Sequence, residues 1–201
     1  LSDGESLNRA IHEPVVIVPY DPAWPGKFEA ERIRIVTLLP RLEHIGSTAV
    51  PGLPAKPIID CMAAVGSMEI ADALVEQFCQ NGYVTSAEFN RSLGDRRWLM
   101  RHAAGRRTHH LHLVLESGTH LTDAIRFRDA LRGDTRLIAE YAGLKERLSR
   151  EFGDDREGYT KAKSDFIAAA LGNHRAESAP PEQGPGLRTL ARRDLARIRQ
   201  K

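Results

Sequence analysis

The residue types best suited to chemistry gather in two short stretches of this 201-residue chain. In "HIGSTAVPGLPAKPIID", His44 to Asp60, a Gly46-Ser47-Thr48 turn is followed by three prolines and then by Asp60, which stands inside an apolar run. Gly46 admits a ligand or a second backbone without Cβ interference. Ser47 and Thr48 set hydroxyls beside backbone N–H groups of the kind that cradle phosphate oxygens. Pro51, Pro54 and Pro57 stiffen the return path, so such a cradle is rigid before a ligand arrives, and Lys56 offers a point charge. Asp60 has Ile58 and Ile59 before it and Cys61 and Met62 after it. A carboxylate there needs a cation, a hydrogen-bond network or a metal to offset desolvation. The plain alternatives are a simple Gly-Ser turn, and an Asp60 held by a buried arginine or backbone donors with no chemical duty.

The second stretch is basic. From Arg91 to His112 the chain carries six arginines (Arg91, Arg96, Arg97, Arg101, Arg106, Arg107) and four histidines (His102, His109, His110, His112) against one acid, Asp95. Strand alternation puts Arg97, Leu99 and Arg101 on one face, and it groups His110 and His112 with Thr108 and Val114. If that face also carries Asp60 and the Gly46-Ser47 turn, a polyanion pocket results, with Arg97 and Arg101 as bidentate phosphate ligands. The alternative is a solvated hairpin whose arginines pair with helix carboxylates, the preferred view of Arg106 and Arg107 at its turn. His102 and His109 read as structural or exposed, and Trp24 and Trp98 as packing. Farther on, helical spacing in "GYTKAKSDF" sets Lys163 near Tyr159, within reach of a phosphate unless it is simply solvated.

The elements that must position these groups follow from periodicity and punctuation. Residues 1 to 13 are polar and expected to be flexible, and "PVVIVPY" is a short strand or extended lead-in. A helix follows with Asp21 as cap, Pro22 at its start, Pro40 at its stop, and Phe28, Ile35 and Leu39 on one face. "RLEHIG" is a short strand, and "PIIDCMAAV" is a strand buried on both faces. "SMEIADALVEQFCQNG" is a helix capped by Ser67, with Ile70, Leu74, Val75 and Phe78 inward. "RRWLMRHAAGRRTHHLHLVLES" is a hairpin turning near Ala104-Gly105. Helices over "HLTDAIRFRDALRG", "DTRLIAEYAGLKERLSREFG" with Asp134 as cap, and "REGYTKAKSDFIAAALG" complete the body. The fold class is α+β or α/β, a mixed sheet of about five strands flanked by helices.

Composition bounds the function. A hydrophobic share of 41% and a charged share of 28% describe an ordinary globular chain. No apolar run reaches the roughly 20 residues needed to cross a bilayer, and the polar start lacks a signal-peptide pattern, so no membrane role and a cytoplasmic location are expected. Cys61 and Cys79 are expected as reduced core residues. Residues 173–201 hold seven Lys/Arg against three Asp/Glu in a chain of net charge +2, so the body is slightly acidic. They read as a Pro/Gly linker and a basic tail, "LRTLARRDLARIRQK", through which RNA is a conceivable partner.

The segments "VVIVPYDPAWPGKFEAE", "EHIGSTAVPGLPAKPIID", "THHLHLV", "FRDALR" and "GYTKAKSDFI", in this order, closely resemble the GrpB family, whose fold belongs to the nucleotidyltransferase superfamily. The resemblance spans residues 14 to 172 and extends to the domain fused after dephospho-CoA kinase in actinobacteria. It implies a nucleotidyltransferase-like sheet with C-terminal helices. It also implies a nucleotide or other phosphorylated metabolite as ligand, and transfer of a nucleotidyl or phosphoryl group with a divalent metal, Mg²⁺ or Mn²⁺. In the superfamily pattern, Ile45-Gly46-Ser47 matches the turn and Asp60 the first carboxylate. The second carboxylate falls on Met62, and the third falls on "HHLHLV", where His110 or His112 takes its place. One carboxylate and imidazoles make a poor Mg²⁺ pair site. They suit a single transition metal at Asp60 and His112, or no metal with cationic side chains stabilising charge. Two functions follow. One is a transferase in which Gly46, Ser47, Thr48, Lys56 and Lys163 hold phosphates, Asp60 binds metal or acts as base, and His110, His112, Arg97 and Arg101 stabilise charge. The other is a non-catalytic phosphate-binding module that kept the cradle and lost the metal carboxylates.

Overall fold

The structure, a computed structural model, describes residues 2–153 and 155–178. The chain divides into two compact units, Leu1–Leu171 and Gly172–Lys201, and only the start of the second lies within the described residues. The basic tail, with the RNA partner inferred from it, lies outside them.

In chain order the first unit holds α1 (Asp3–Ile11), α2 (Trp24–Ile35), β1 (Glu43–Ile45), a 3-10 turn (Ser47–Ala49), β2 (Ile59–Val65), α3 (Met68–Gln80), α4 (Ala87–Ser92), β3 (Arg96–Ala103) and β4 (Arg106–Leu115). There follow α5 (His120–Gly133), α6 (Thr135–Phe152), α7 (Arg156–Ala162) and α8 (Ser164–Ser178), which continues into the second unit. The sheet has four strands in the order β1-β2-β4-β3, with β2 and β4 parallel and the outer pairs antiparallel. The lead-in "PVVIVPY" supplies only an isolated bridge between Val18 and Ala55 instead of a fifth strand.

Local chemistry explains most boundaries. Ser67 and Asp134 accept the first N–H groups of α3 and α6. Asp21 accepts from Ala23 N–H and pairs with Lys27, just ahead of α2. The hairpin turns on Ala104 and Gly105, both at positive φ as two-residue turns of this hand require. The N-terminal segment expected to be flexible is a helix. Ser2 and Glu5 close a capping box, and Ser6 Oγ accepts from Gly105 N–H and is hydrogen-bonded with His102 Nδ1 at 3.0 Å, which ties α1 to the hairpin. Cys61 is buried but Cys79 is exposed on α3, where Ala71 and Phe78 face inward and Ile70 is also exposed.

The sheet has two unlike faces. On one, Ile59, Cys61, Ala63, Leu99, Leu111 and Leu113 pack against Trp24, Ile35, Ala71, Phe78 and Tyr83, each fully buried large side chain contributing about 1.5–3 kcal/mol. The other carries Asp60, Met62, Trp98, Met100, His110 and His112 by register. There α5 covers one end, where Leu121 and Ala124 meet Ile45, Met62 and Val114. The Pro/Gly loop reaches the C-terminal helices, with Val50 and Leu53 in a cluster with Phe127, Leu131, Tyr141 and Ala170.

Candidate functional site

The parallel pairing of β2 with β4 sets Asp60 opposite His110, and Met62 opposite His112. Because side chains alternate with period two, all four project from one face. His110 Nδ1 lies 2.9 Å from Asp60 Oδ1. Burial pushes the Asp60 carboxyl up, but the His110 hydrogen bond and the charge of Lys56, joined in acid by those of the protonated histidines, outweigh it and hold it down at about 2. An ionised carboxylate only accepts, so the Nδ1 hydrogen belongs to His110. His110 Nε2 is then left buried without a hydrogen-bond partner among the described residues. His112 is pushed down to about 4 by burial, against the pull of Asp60, and is neutral at physiological pH. One ligand atom each from Asp60, His110 and His112 lie within 4.8 Å of one another.

Gly46 stands against this cluster at φ +70°, and a Cβ there would sit 2.6 Å from Asp60 Oδ2, so the close approach of turn and carboxylate requires glycine. Ser47 is half-exposed at the start of the 3-10 turn. Thr48, expected as a phosphate ligand, is buried: its hydroxyl donates to the Ile58 carbonyl at 3.3 Å and therefore accepts from His44 Nε2 at 3.0 Å. Thr48 is thus an internal tie across the loop. His44 stacks on Phe28 at 4.7 Å, and burial pushes it down to about 4.

Lys56 and Lys163 lie close enough to Asp60 to feel its charge. Both lie over the Tyr159 ring, Lys56 Nζ at 5.1 Å and Lys163 Nζ at 4.3 Å from its centroid. Burial pushes each down to about 8, Lys56 further through its repulsion with Lys163, while Asp60 opposes the shift of both. Neither joins an ion pair among the described residues.

Arg97 and Arg101 are not in the site. They lie on the opposite face, where Arg97 is held by Asp72 of α3 at 2.5 Å and Arg101 by Glu31 of α2 at 2.5 Å. The cause is a bulge between Arg101 and His102. In an unbroken hairpin closing Ala103 on Arg106, Arg97 would pair with His112. The extra residue moves that partner to Trp98 and turns both arginines away.

The sequence reading missed three contributors. Lys145 on α6 is almost wholly buried, donates to the Pro54 carbonyl and is pushed down to about 7 by burial and the repulsion of Lys163. Arg107, read as solvated, gives N–H groups to the carbonyls of Ala10 and Ile11 and lies over Trp98 at 5.6 Å. Arg156 pairs with Glu13 at 3.2 Å. Only the order of helices around the sheet brings these residues near, which no local pattern reports. Beside Lys56 opens a cleft of about 570 Å³ lined by Arg9, Arg106 and Arg156 together with Val16, Val18 and Ile58.

Comparison with known proteins bears on the whole unit. The family model described as GrpB protein matches residues 14–173. A UPF0157 protein of Pseudomonas aeruginosa is 38% identical over 196 residues, covering 92% of this chain and 78% of that protein. A dephospho-CoA kinase of Mycolicibacterium paratuberculosis is 29% identical over 82% of this chain, which spans 47% of the kinase. The crystal structure of the conserved protein GrpB from Enterococcus faecalis matches with a TM-score of 0.70 at 33% identity, over 81% of this chain and 98% of that one. Among the described residues no helix is long and apolar enough to cross a membrane. With a family match across most of its length, and a relative and a solved structure that agree with it, this chain belongs to the GrpB family.

Proposed function

We propose that this protein binds a phosphorylated small molecule of the nucleotide type at the Asp60 end of the sheet. The carrying observation is the pair Lys56 and Lys163, two half-buried ammonium groups over one tyrosine ring with no ion-pair partner among the described residues. Holding like charges together in a desolvated place is costly unless an anion completes the arrangement. The adjacent cleft adds cationic groups and apolar walls at a volume ordinary for small-molecule sites, which suits an anion carrying a flat organic body.

Calorimetric titration of nucleoside mono- and triphosphates and of CoA-type phosphates, in chelator, tests the proposal. Binding by the wild type should weaken at least about tenfold in Lys56→Ala and in Lys163→Ala and should weaken with added salt. No saturable binding by the wild type, or binding by both variants as tight as by the wild type, sinks it. Transfer of a nucleotidyl or phosphoryl group is the second reading. It is favoured by Asp60, an ionised carboxylate fixed beside the Gly46 turn and suited to act as a metal ligand. Incubation with radiolabelled ATP and a search for labelled products separates transfer from binding alone.

A further inference from the structure

We propose that Asp60, His110 and His112 form a site for one divalent transition-metal ion of the imidazole-preferring class, of which Zn²⁺ is the representative, and not for Mg²⁺. What the ion would do rests on the phosphate-binding reading above, but its presence is measurable without any phosphate.

Three observations carry the assignment. The first is convergence: residues on neighbouring parallel strands, two of them alternating along β4, bring one ligand atom each within 4.8 Å. Bonds of about 2.0–2.2 Å from imidazole nitrogen and carboxylate oxygen set tetrahedral donors roughly 3.4 Å apart, which small side-chain rotations reach from this spacing. The second is donor type. Mg²⁺ takes oxygen ligands in near-octahedral array, and this face supplies one carboxylate, with a methionine, Met62, opposite His112. Two imidazoles and a carboxylate instead match the set that binds Zn²⁺, Co²⁺ or Fe²⁺ with positions left open. The third is the facing of two donors: His110 Nδ1 lies 2.9 Å from Asp60 Oδ1, so an ion between them takes the place of the hydrogen they share, which is released.

Lys56 and Lys163 oppose a cation at Asp60, since both are positive and close to the same carboxylate. An anion lying between the ion and the lysines removes that opposition, so metal and phosphate are expected to strengthen each other's binding, and by equal factors. The cluster thereby joins the lysine pair in one anion-directed surface, with the ion as a Lewis acid when bound.

The full chain, stripped with chelator and exchanged into phosphate-free buffer, is titrated with Zn²⁺ by calorimetry, with Co²⁺ by visible absorption, and with Mg²⁺. One equivalent of Zn²⁺ should bind, Co²⁺ should develop ligand-field bands of low-coordinate geometry, and Mg²⁺ should show no saturation at millimolar concentration. His112→Ala and Asp60→Asn should each weaken Zn²⁺ at least about tenfold. His109→Ala, one residue away on the opposite face of β4, should leave it unchanged. Should Asp60→Asn fail to fold by circular dichroism, His112→Ala carries the comparison, because its side chain is half-exposed and its loss leaves the leucine core intact. Absence of stoichiometric Zn²⁺ binding, equal Zn²⁺ affinity in His112→Ala, or Mg²⁺ binding as tight as Zn²⁺ overturns the assignment. Because the nucleotide titrations are run in chelator and these without phosphate, either proposal can fail while the other stands.

Discussion

At the scale of single residues, the site depends on one glycine. Gly46 occupies a positive φ that side chains rarely adopt, and the space its Cβ would need is taken by Asp60 Oδ2. Gly46→Ala therefore carries two costs, backbone strain and displacement of the carboxylate from His110. A loss of about 1–3 kcal/mol is expected, read as a lower urea midpoint with an unchanged slope. A variant as stable as wild type would show that the turn can retreat from Asp60 freely. Thr48 illustrates how a hydroxyl in a promising motif can be committed elsewhere: its one hydrogen goes to Ile58 while it accepts from His44, which leaves no donor for a phosphate oxygen. Ser47 is engaged by the Tyr141 side chain, whereas the half-buried Lys56 and Lys163 join no ion pair among the described residues.

At the scale of elements, the β3–β4 hairpin decides what the site contains. Its two-residue turn places Ala104, a residue with a Cβ, at φ +50°, ahead of Gly105. Asn tolerates this conformation better than Ala, and Asn-Gly is a favoured pair in such turns. Ala104→Asn should accordingly raise stability by roughly 0.5–1 kcal/mol, visible as a higher melting temperature. A lower one would mean that the packing of α1, through Ser6 and Arg9, sets the turn conformation and not the turn itself. The Pro/Gly loop is similarly an element held from outside. Val50 and Leu53 are buried among the C-terminal helices, and Lys145 reaches the Pro54 carbonyl from α6. Rigidity of the loop thus comes from tertiary anchoring as well as from its prolines.

At the scale of the whole molecule, the two faces of the sheet divide the work. One is sealed by α2 and α3 around a buried acid. Burial pushes the Glu31 carboxyl up, but hydrogen bonds from Arg34 and Tyr83 and the charge of Arg101 prevail and hold it down at about 2. A carboxyl with a depressed folded pKa contributes stability that is fully present above its unfolded value, near 4.5, and is lost as pH falls toward 2. Urea midpoints measured across that window should fall for wild type by an amount equivalent to on the order of 3 kcal/mol. Glu31→Gln should start less stable at pH 6 and decline less steeply. Parallel curves would place the acid sensitivity elsewhere. The other face carries the ionised aspartate and neutral histidines, beside two lysines that join no ion pair among the described residues.

Much of this was legible from residue order alone. Capping residues and punctuation marked α3, α6 and the hairpin turn, because those signals act within a few residues of chain. Asp60 stood out because a carboxylate in an apolar strand is expensive wherever it folds, and the run around Gly46 marked the family on sight. Lys56 and Lys163 were named for the same region. What sequence could not supply was pairing register. Alternation fixes which residues of one strand share a face, but whether Arg97 and Arg101 join His110 and His112 turns on a single extra residue in the hairpin, the bulge after Arg101. That one shift sent the arginines to Asp72 and Glu31 and left the histidines facing the lysines. The buried Lys145 and the ordered α1 were hidden for a related reason: each depends on a partner distant in the chain, Pro54 for one and the hairpin for the other. The sequence by itself therefore determined most of the elements, the family and the aspartate, through local and compositional physics. Only the tertiary structure decided which cations face that aspartate, because a side chain's face follows from register and packing across strands that no local pattern encodes.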